Sequence, residues 1–338
     1  MSRTVKDVAE LAGVSVATVS RVLNGTGRVG AAARERVLAA AAQLEYQPDL
    51  HARMLARGQS RTLGMIVSNL SNPFFLDVFR ALETDARRWG YEVVVANTGY
   101  RPPRLLEQVH SMVGRSLAGL AVIVSETEPT LLERLADSEI PIAFSDVGMA
   151  GPKMTRIRTD YGKGMSSLVD HLRGLGHRRL AFVGQEPGRH PLHPRHRAFL
   201  EAAGRHRGQL EQTCVGDEDQ PRGGQLATRH LFASGFAPTA IVCGSDWMAL
   251  GVMRALADLG LSVPEEVSVA SCDNISLSEH TWPALTTINV PRARIGHLVS
   301  EALMPEGEAS ALWGREIRIE PELIVRGSTG PAPGPRRP

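Results

Sequence analysis

Apolar residues recur every three or four positions through the first 45 residues, and this period predicts amphipathic helices. Gly13 and Gly25 interrupt the period, so it predicts three short helices, the third over residues 31–44. Thr4 and Asp7 have the spacing of a capping box at the start of the first helix. The tight connection between the first two helices, which contains a glycine, is typical of a helix-turn-helix unit.

The second predicted helix has one apolar face and one face of small or polar residues. The small core is expected to take these side chains from the second and third helices: Val19, Val22, Leu23, Val37, Leu38, Ala41 and Leu44. The major groove of B-form DNA admits one helix, whose N-terminal side chains reach base edges; Val16 and Ala17 suit thymine methyl groups, and Arg21 suits guanine. The remaining candidates for the DNA are Ser15, Thr18, Ser20 and Asn24. The alternative is a packing module with a solvated outer face.

From Leu63 onward, apolar runs of strand length alternate with amphipathic stretches of helix length. The runs are LGMIVS, YEVVVAN, LAGLAVIV, IPIAFSD, RRLAFVG, TAIVCG and VSVASCD. This alternation predicts parallel sheets with crossover helices. Ligands of such sheets bind beyond the carboxyl ends of the strands, so the residues that follow each strand are candidates for a binding site.

Polar and aromatic residues follow two of these strands. Ser68, Asn72, Phe74 and Phe75 come after the first strand, and a sugar ring would need such aromatic walls and polar edges. Asp146 ends the IPIAFSD strand and could accept hydrogen bonds from hydroxyl groups. The alternative for the two phenylalanines is simple packing of the helix that follows.

Composition excludes several classes of protein. With 338 residues, 43% hydrophobic and 22% charged, the chain fits two or three globular units rather than a fibre or a disordered chain. The net charge of +2 gives little indication of nucleic acid, although residues 1–60 carry eight Lys or Arg against five Asp or Glu. The three cysteines form no C-x-x-C pair, so we expect reduced thiols and no metal.

Targeting and catalytic motifs add two expectations. No signal peptide and no apolar run of about 20 residues is visible, so we expect a cytoplasmic protein without a membrane role. Phosphate-binding-loop, dinucleotide-binding and nucleophile-elbow motifs are missing from the sequence, so we expect neither an enzyme nor a cofactor.

Long motifs then indicate a family. The string TVKDVAELAGVSVATVSRVLNG, followed by RERVLAAAAQLEYQPDLHARMLARGQSRTLGMIVSNLSNPFF, resembles the lactose/galactose repressor (LacI-type) family. The resemblance continues through GHRRLAFVG, SDWMALG, LGLSVPEEVSV, PALTTINVP and LIVRGST, so it covers nearly the whole chain.

The resemblance implies an N-terminal all-α helix-turn-helix headpiece with a hinge helix, followed by an α/β two-lobed core like that of periplasmic binding proteins, with two doubly wound parallel sheets. The headpiece is expected at 1–48, the hinge helix and linker at 49–60, and the core at 61–328. The first lobe would combine 61–160 with 291–319, and the second 161–290 with 320–328. Residues 329–338 are expected to form a disordered tail.

The hinge is expected to fold only when it is held, because isolated helices of fewer than about 12 to 15 residues are marginal in water. By resemblance, Leu55 from each protomer of a dimer would wedge into the minor groove of the operator. Arg53 and Arg57 would add contacts to phosphates or to the minor groove.

The effector site also follows from the resemblance. Arg195 matches the family's effector-binding arginine, and Ser245 and Asp273 fall on positions that usually contact effector. Ser271, Cys272 and Asp273 replace the usual glycine, aromatic residue and aspartate, and Glu218 stands near the place of a stacking aromatic residue, so a purine is less favoured. The basic segment 188–197 leaves a sugar acid or sugar phosphate open beside a neutral sugar. Asp246 is expected to cap the helix that contains it.

These expectations combine into a repressor that binds palindromic operator DNA as a homodimer and responds to a small effector between its lobes. The C-terminal segment lacks leucine heptads, which favours a dimer over a tetramer. A binding protein of the periplasmic type, without a DNA role, is the main alternative from another class.

Overall fold

The structure is a computed structural model. It describes residues 4–25, 27–46, 60–126, 130–131, 135, 138–185, 193–206, 210–216, 218–304 and 309–334. The chain divides into two compact units, Met1–Arg61 and Thr62–Pro338. The predicted hinge residues Arg53, Leu55 and Arg57 lie outside the described residues, so their role stays a prediction.

The described residues of the first unit form three helices: α1 (Val5–Ala12), α2 (Val16–Asn24) and α3 (Ala31–Gln43). The predicted capping box is present, because the Thr4 amide donates to the Asp7 carboxylate at 2.7 Å. The residues that follow α1 and α2 are Gly13 and Gly25, with φ of 61° and 65°. This left-handed conformation favours glycine and ends both helices, as the spacing predicts.

The core of this unit confirms most of the predicted pattern. Val8, Val19 and Val37 are fully buried. The prediction for Leu38 is wrong, because its side chain is 49% exposed while that of Ala40 is 4% exposed. Residues three apart share a helix face, so α3 turns Val37 and Ala40 inward together and leaves Leu38 about 100° away.

The second unit is built on two six-stranded sheets. The strands of the first are β1 (Thr62–Val67), β2 (Glu92–Asn97), β3 (Gly119–Ile123), β4 (Ile142–Ser145), β5 (Met154–Thr159) and β11 (Glu316–Ile319). They lie in the order β11-β5-β4-β3-β1-β2, and every pair is parallel. Each residue of β3 and β4 is buried, as expected of central strands covered by helices on both faces.

The helices of this first lobe include, among the described residues, α4 (Pro73–Arg88), α5 (Pro102–Val113), α10 (Arg292–Leu303) and α11 (Ala309–Leu312). α10 packs closely on α4, because Gly296 faces Ala81 and the carbonyl of Val78. A Cβ on Gly296 would lie 2.6 Å from that carbonyl oxygen, so glycine is required at this crossing. The close packing joins a C-terminal stretch of the chain to the lobe formed by its first strands.

The strands of the second sheet are β6 (Arg179–Gly184), β7 (Glu211–Gly216), β8 (Ala240–Cys243), β9 (Ser268–Asp273), β10 (Thr286–Asn289) and β12 (Glu322–Ile324). They lie in the order β12-β10-β9-β8-β6-β7. β12 pairs with β10 in the antiparallel direction, so this sheet is mostly rather than fully parallel. The sheet is covered by α6 (Tyr161–Gly174), α7 (Pro194–Gly204), α8 (Pro221–Ala233), α9 (Asp246–Asp258) and a 3-10 helix, Ser276–Glu279.

The chain passes between the two sheets three times: after Thr159, after Asn289 and after Ile319. In the third passage, only Glu320 and Pro321 separate β11 from β12. Both lobes are therefore completed by segments that are distant in sequence.

The C-terminal segment differs from the expected disordered tail. The amide of Ala332 donates to the carbonyl of Leu175 at 2.8 Å, and the amide of Gly330 donates to the Ser268 hydroxyl at 3.0 Å. The buried ring of His177 contacts the carbonyl of Gly330 at 3.0 Å. These bonds fix the segment on the second lobe up to Ala332, and residues 335–338 lie outside the described residues.

In the part of the chain that the structure describes, every helix is too short or too polar to cross a lipid bilayer.

Candidate functional site

The outward face of α2 carries the residues predicted to contact DNA. Ser15, Val16, Ala17 and Arg21 are exposed, and the apolar side chain of Val16 keeps 41% of its surface in solvent. Thr18 and Ser20 are half-buried on the flank of this face, and Asn24 ends the helix with its side chain outside the described part.

Ser15 and Thr18 also build the start of α2. The Thr18 amide donates to the Ser15 hydroxyl at 3.2 Å, and the two hydroxyl oxygens lie 2.9 Å apart. This N-cap satisfies one of the free amides of the first turn and places Val16 and Ala17 at the exposed tip of the helix. The face therefore consists of a polar cap, two small apolar side chains and one guanidinium.

A cavity lies between the two lobes, at the carboxyl ends of β4 and β9. We call it the inner cavity. Its polar wall includes Asn72, Asp146, Tyr161, Arg195, Asp219 and Asp273. It adjoins a larger open space, the outer cavity, whose wall includes Tyr100, Glu126 and Arg197.

One chain of hydrogen bonds crosses the inner cavity from lobe to lobe. The Tyr161 hydroxyl donates to the Asp146 carboxylate at 2.7 Å, and Arg195 Nη2 donates to the Tyr161 oxygen at 3.2 Å and to Asp273 Oδ1 at 2.7 Å. Arg195 Nη1 donates to the carbonyl of Gly244 at 2.7 Å. The side chains of Arg195 and Asp273 are 10% and 1% exposed, so the contact between the guanidinium and the carboxyl group is buried.

Two aspartates of this chain have unusual backbone conformations. Asp146, which follows β4, has a φ of 61°, and Asp273, the last residue of β9, has a φ of 127°. A positive φ costs a residue other than glycine about 1–3 kcal/mol and is typical of functional sites. At Asp146 the strain is offset by a hydrogen bond from the Thr159 amide to its carboxylate at 2.8 Å.

Burial dominates the ionisation of the site. It raises the pKa of Asp273 to about 8 against the attraction of Arg195, and the charges of Asp246 and Asp219 add to the increase. Burial also raises the pKa of Asp146, although hydrogen bonds from Thr159 and Tyr161 oppose the shift. Asp273 Oδ2 is buried without a hydrogen-bond partner in the described structure, so one acceptor of the site is still available.

His193 begins α7 beside Arg195. Its Nδ1 accepts a hydrogen bond from the Arg195 amide at 3.4 Å. Burial, followed by the charges of Arg195 and His196, lowers the pKa of His193 to about 3. The ring is therefore neutral at physiological pH and adds no positive charge to the cavity.

Phe74 and Phe75 form the aromatic wall. Their ring centroids lie 5.2 Å apart at an interplanar angle of 86°, and the Arg195 guanidinium lies 5.9 Å from the centroid of Phe74. Both rings line the inner cavity and also belong to the buried core of the second unit. Phe74 and Phe75 can therefore pack in the core and line the inner cavity at the same time. Asn72 caps the same helix, since its side-chain oxygen accepts from the Phe74 amide at 3.0 Å.

Ser68 and Ser245, two predicted effector residues, lie behind the cavity wall. The Ser68 hydroxyl donates to Glu126 at 2.5 Å and accepts from the Ser125 amide at 2.7 Å. The Ser245 hydroxyl donates to Asp219 at 2.5 Å and accepts from the Met248 amide at 3.1 Å. Both side chains are almost fully buried, and neither serine lines the inner or the outer cavity, so they hold wall residues in place.

The expectation that Asp246 caps α9 is wrong. Ser245 is the N-cap, and Asp246 turns inward as the first residue of the helix. Its carboxylate accepts from the hydroxyls of Ser271 and Thr287 and from the amide of Ile275. Burial raises the pKa of Asp246 to about 6 despite these hydrogen bonds. This residue ties β9 and β10 together beneath the cavity.

Three side chains of the site escaped the sequence analysis: Tyr161, Asp219 and Tyr100. Tyr161 is the first residue of α6, directly after β5, a strand whose sequence MTRIRT is too polar to be recognised as an apolar run. Asp219 follows β7, whose sequence is EQTCVG. Glu218 is exposed in the outer cavity, so Asp219 rather than Glu218 lines the inner cavity.

The structure describes only residues 193–197 of the basic segment 188–197. Residues 186–192 lie outside the described residues, and Arg197 lies on α7 in the wall of the outer cavity. Among the side chains that the structure describes, no cluster of three or more His, Cys, Asp or Glu could hold a metal ion. The thiols of Cys214, Cys243 and Cys272 are free.

Two family models match the chain. The model of bacterial regulatory proteins, lacI family, matches residues 4–49, and that of a periplasmic binding protein-like domain matches residues 169–329. The HTH-type transcriptional repressor PurR of Glaesserella parasuis is 31% identical over 332 residues, which cover 96% of this chain and 98% of the relative. The protein of the same name from Vibrio campbellii is 32% identical over 331 residues, with 96% and 97% covered. The chain belongs to the lacI family.

Solved structures of lacI-family proteins agree with this assignment. A lac repressor dimer bound to operator and the anti-inducer ONPF superimposes with a TM-score of 0.81 at 29% identity, covering 98% of this chain and 100% of that one. A lacI-family regulator from Enterococcus faecium with bound ribose gives a TM-score of 0.69 at 26% identity, covering 80% and 99%. The predicted fold is therefore confirmed: a helix-turn-helix headpiece precedes a two-lobed α/β core. The chain is a DNA-binding transcriptional regulator of the lacI family.

Proposed function

We propose that the protein is a cytoplasmic repressor, rather than an enzyme, which binds a palindromic operator as a homodimer and releases or grips it according to a sugar held in the inner cavity. The observation that carries the proposal is the exposed face of α2 on a chain whose second unit encloses a polar cavity between two lobes. The solved lac repressor dimer on its operator, 29% identical to this chain, supports the same arrangement.

On the DNA, Val16, Ala17 and Arg21 would read base edges in the major groove. Ser15, Thr18, Ser20 and Asn24 would contact phosphates and fix the register of the helix. The exposure of Val16 supports this role, because an apolar side chain at a helix tip gains free energy when a thymine methyl group covers it. The hinge residues Arg53, Leu55 and Arg57 would enter the minor groove.

In the cavity, a neutral sugar fits better than a sugar acid or a sugar phosphate. Asp146, Asp219 and Asp273 line the inner cavity and would accept hydrogen bonds from hydroxyl groups. The one guanidinium of this wall, Arg195, is already paired with Asp273. An anion would face carboxylates without a free cation among the described side chains of the inner cavity. The ribose complex of a relative that is 26% identical supports a sugar effector.

The dimer is supported by an exposed apolar patch on the second lobe. Trp282 is 97% exposed, and Leu277 and Val325 are 40% and 54% exposed. Arg326, next to Val325, hydrogen-bonds Ser278 beside Leu277, so these segments are adjacent. A tryptophan this exposed is typical of an interface. Trp282→Asp should shift the purified protein from dimer to monomer in sedimentation, whereas Trp89→Asp, at a tryptophan that is 51% exposed on the first lobe, should not.

The decisive test is fluorescence anisotropy with fragments of the host genome. We expect one fragment to bind far more tightly than the rest, with an affinity that falls by at least about a hundredfold between 50 and 200 mM salt, because phosphate contacts release counterions. A sugar screen against that complex should then identify a compound that changes the affinity by about 5- to 150-fold. Equal, salt-independent binding of all fragments would refute the regulator assignment.

A further inference from the structure

At the boundary of the inner cavity, a further hydrogen bond joins the two lobes, besides those of Tyr161 and Arg195 that cross the cavity. Tyr100 follows β2 in the first lobe, and Asp219 follows β7 in the second. The Tyr100 hydroxyl donates to the Asp219 carboxylate at 2.9 Å. The two residues are 119 positions apart in the chain. The bond therefore exists only while the lobes are close together.

Both partners of this bond are held firmly from behind. Gly99 and Tyr100 take φ of 65° and 59°, and their amides donate to the carbonyl of Ser68 at 2.8 and 3.3 Å. A tyrosine in the left-handed region is strained, so the surrounding structure must fix it there. On the other side, the Ser245 hydroxyl donates to the second oxygen of Asp219 at 2.5 Å.

The bond lies where the inner cavity meets the outer cavity. Asp219 lines both cavities, whereas Tyr100 lines only the outer one. Burial and Asp219 raise the pKa of Tyr100 well above its usual value, and Asn72 and Asn69 oppose the shift by hydrogen bonding. Asn72 lines the inner cavity and Asn69 the outer one, so the hydroxyl of Tyr100 lies between them.

We propose that the hydrogen bond between Tyr100 and Asp219 is a gate that admits small effectors to the inner cavity and excludes longer saccharides. This rests on the proposed function in one respect, that the inner cavity is the effector site. The inner cavity is far smaller than the outer cavity, so only a compact ligand could lie within it while the gate is closed. A chain of sugars would have to extend into the outer cavity and would require the bond to break.

The gate can be tested with a thiol in the inner cavity, without knowledge of the effector. Ser145 lines the inner cavity only and is 3% exposed, so Ser145→Cys in a Cys214→Ser background of the full chain places a reporter there. The two native cysteines that remain, Cys243 and Cys272, are fully buried. The probes are methyl methanethiosulfonate, which is small, and a methanethiosulfonate that carries biotin, which is bulky.

With the gate intact, the small reagent should modify the thiol much faster than the bulky one. Tyr100→Phe removes the hydroxyl and retains the ring, and it should raise the rate for the bulky reagent about tenfold, because a hydrogen bond to a charged acceptor is among the stronger ones in proteins. The rate for the small reagent should change less than twofold. Asp219→Asn should give a smaller increase for the bulky reagent, since an amide oxygen is a weaker acceptor for Tyr100.

The matched control is Tyr91→Phe, a tyrosine that is 7% exposed and precedes β2 at the end opposite Tyr100. It should leave both rates unchanged. Equal acceleration of both reagents by Tyr100→Phe would indicate general loosening and overturn the gate, as would no acceleration at all.

A second reporter, Val147→Cys, keeps the test valid if Ser145→Cys does not fold, because Val147 also lines the inner cavity alone. Results that refute the gate in these experiments would not refute the proposal that the protein is a sugar-responsive repressor. Failure of every sugar to change operator affinity would refute the effector site and leave the labelling result unchanged.

Discussion

The DNA-facing helix and the inner cavity are assembled on different scales. α2 presents Val16, Ala17 and Arg21 within six consecutive residues, on a helix whose buried face is fixed by Val19 and Val22. The cavity instead joins Tyr161 to Arg195 across 34 positions and Arg195 to Asp273 across 78. One side chain of the helix can therefore change without its neighbours, whereas each polar group of the cavity is also a partner of another. Substitutions on the DNA-facing helix can therefore change base preference without changing the stability of the fold. Substitutions in the cavity change effector binding and stability together.

The largest effect that would sharpen this comparison is expected from Arg195→Met. The substitution leaves Asp273 buried without its cation and removes hydrogen bonds to Tyr161 and Gly244. We expect the free energy of unfolding of the core to fall by about 3–5 kcal/mol, with loss of the effector response. Urea unfolding followed by circular dichroism measures the first effect.

Arg88→Met is the control for Arg195→Met. The Arg88 side chain is 72% exposed and lies 3.5 Å from Asp85, and such surface pairs contribute less than about 1 kcal/mol. Equal free energies of unfolding for the two variants would show that the hydrogen bonds of Arg195 in the cavity do not stabilise the fold.

The next effect is expected on the helix. Arg21→Ala should weaken the preferred operator by about 1–3 kcal/mol relative to unrelated DNA, without a change in the free energy of unfolding, because Arg21 is exposed. Anisotropy against operator variants provides the measurement. Arg36→Ala, at an exposed arginine of α3, should leave base preference unchanged. A large loss of stability in the Arg21 variant would break the comparison.

A smaller effect is expected from pH. The pKa of Asp273 is raised to about 8, and a sugar hydroxyl that donates to Oδ2 favours the charged carboxylate. Effector affinity should therefore rise with pH up to about 8 and then level off, by at most tenfold per pH unit. Calorimetry in buffers of different ionisation enthalpy should detect proton release on binding.

The free energy of unfolding of the effector-free core should change with pH in the opposite direction to effector affinity. Because the folded pKa of Asp273 lies above its unfolded value, this group stabilises the fold at low pH, and that contribution is lost as pH rises towards about 8. Asp273→Asn should remove both pH dependences, and their persistence in this variant would assign them to another group.

The smallest effect is expected from Ser245→Ala. It removes the N-cap of α9 and one hydrogen bond to Asp219, so the core should lose about 1 kcal/mol of unfolding free energy and bind effector somewhat less tightly. Ser234→Ala, which removes a hydroxyl bond to a carbonyl at the end of α8, serves as a control for stability alone. Unchanged effector affinity in the Ser245 variant would show that the hydrogen bond from Ser245 is not needed to position Asp219 for binding.

The difference between the two regions also explains what sequence could predict. Val19 and Val22 lie three residues apart on one helix, so local spacing places them correctly, and the capping box of Thr4 and Asp7 follows from the same logic. The sequence misplaces Leu38 because α3 is rich in alanine and weakly amphipathic, so few large apolar side chains define its inward face.

In the cavity, strand-end position identified the lining residues Asp146 and Asp273 but could not distinguish them from Ser68 and Ser245. All four follow or end strands, and only the three-dimensional partners decide which side chains reach the cavity. Ser245 is turned inward by its own helix, and Ser68 by Glu126. Asp219 follows a loop-like sequence, so no periodicity pointed to it.

The two-residue passage between β11 and β12 limits how the lobes can move. Two residues extend to no more than about 7 Å, so this edge of the molecule cannot open by separation. Neither of the other two passages is longer: one consists of Asp160, and the other of Val290 and Pro291. The lobes must therefore rotate relative to each other about an axis through these three connecting segments. The displacement of one lobe from the other is then greatest at the edge of the cleft farthest from the segments.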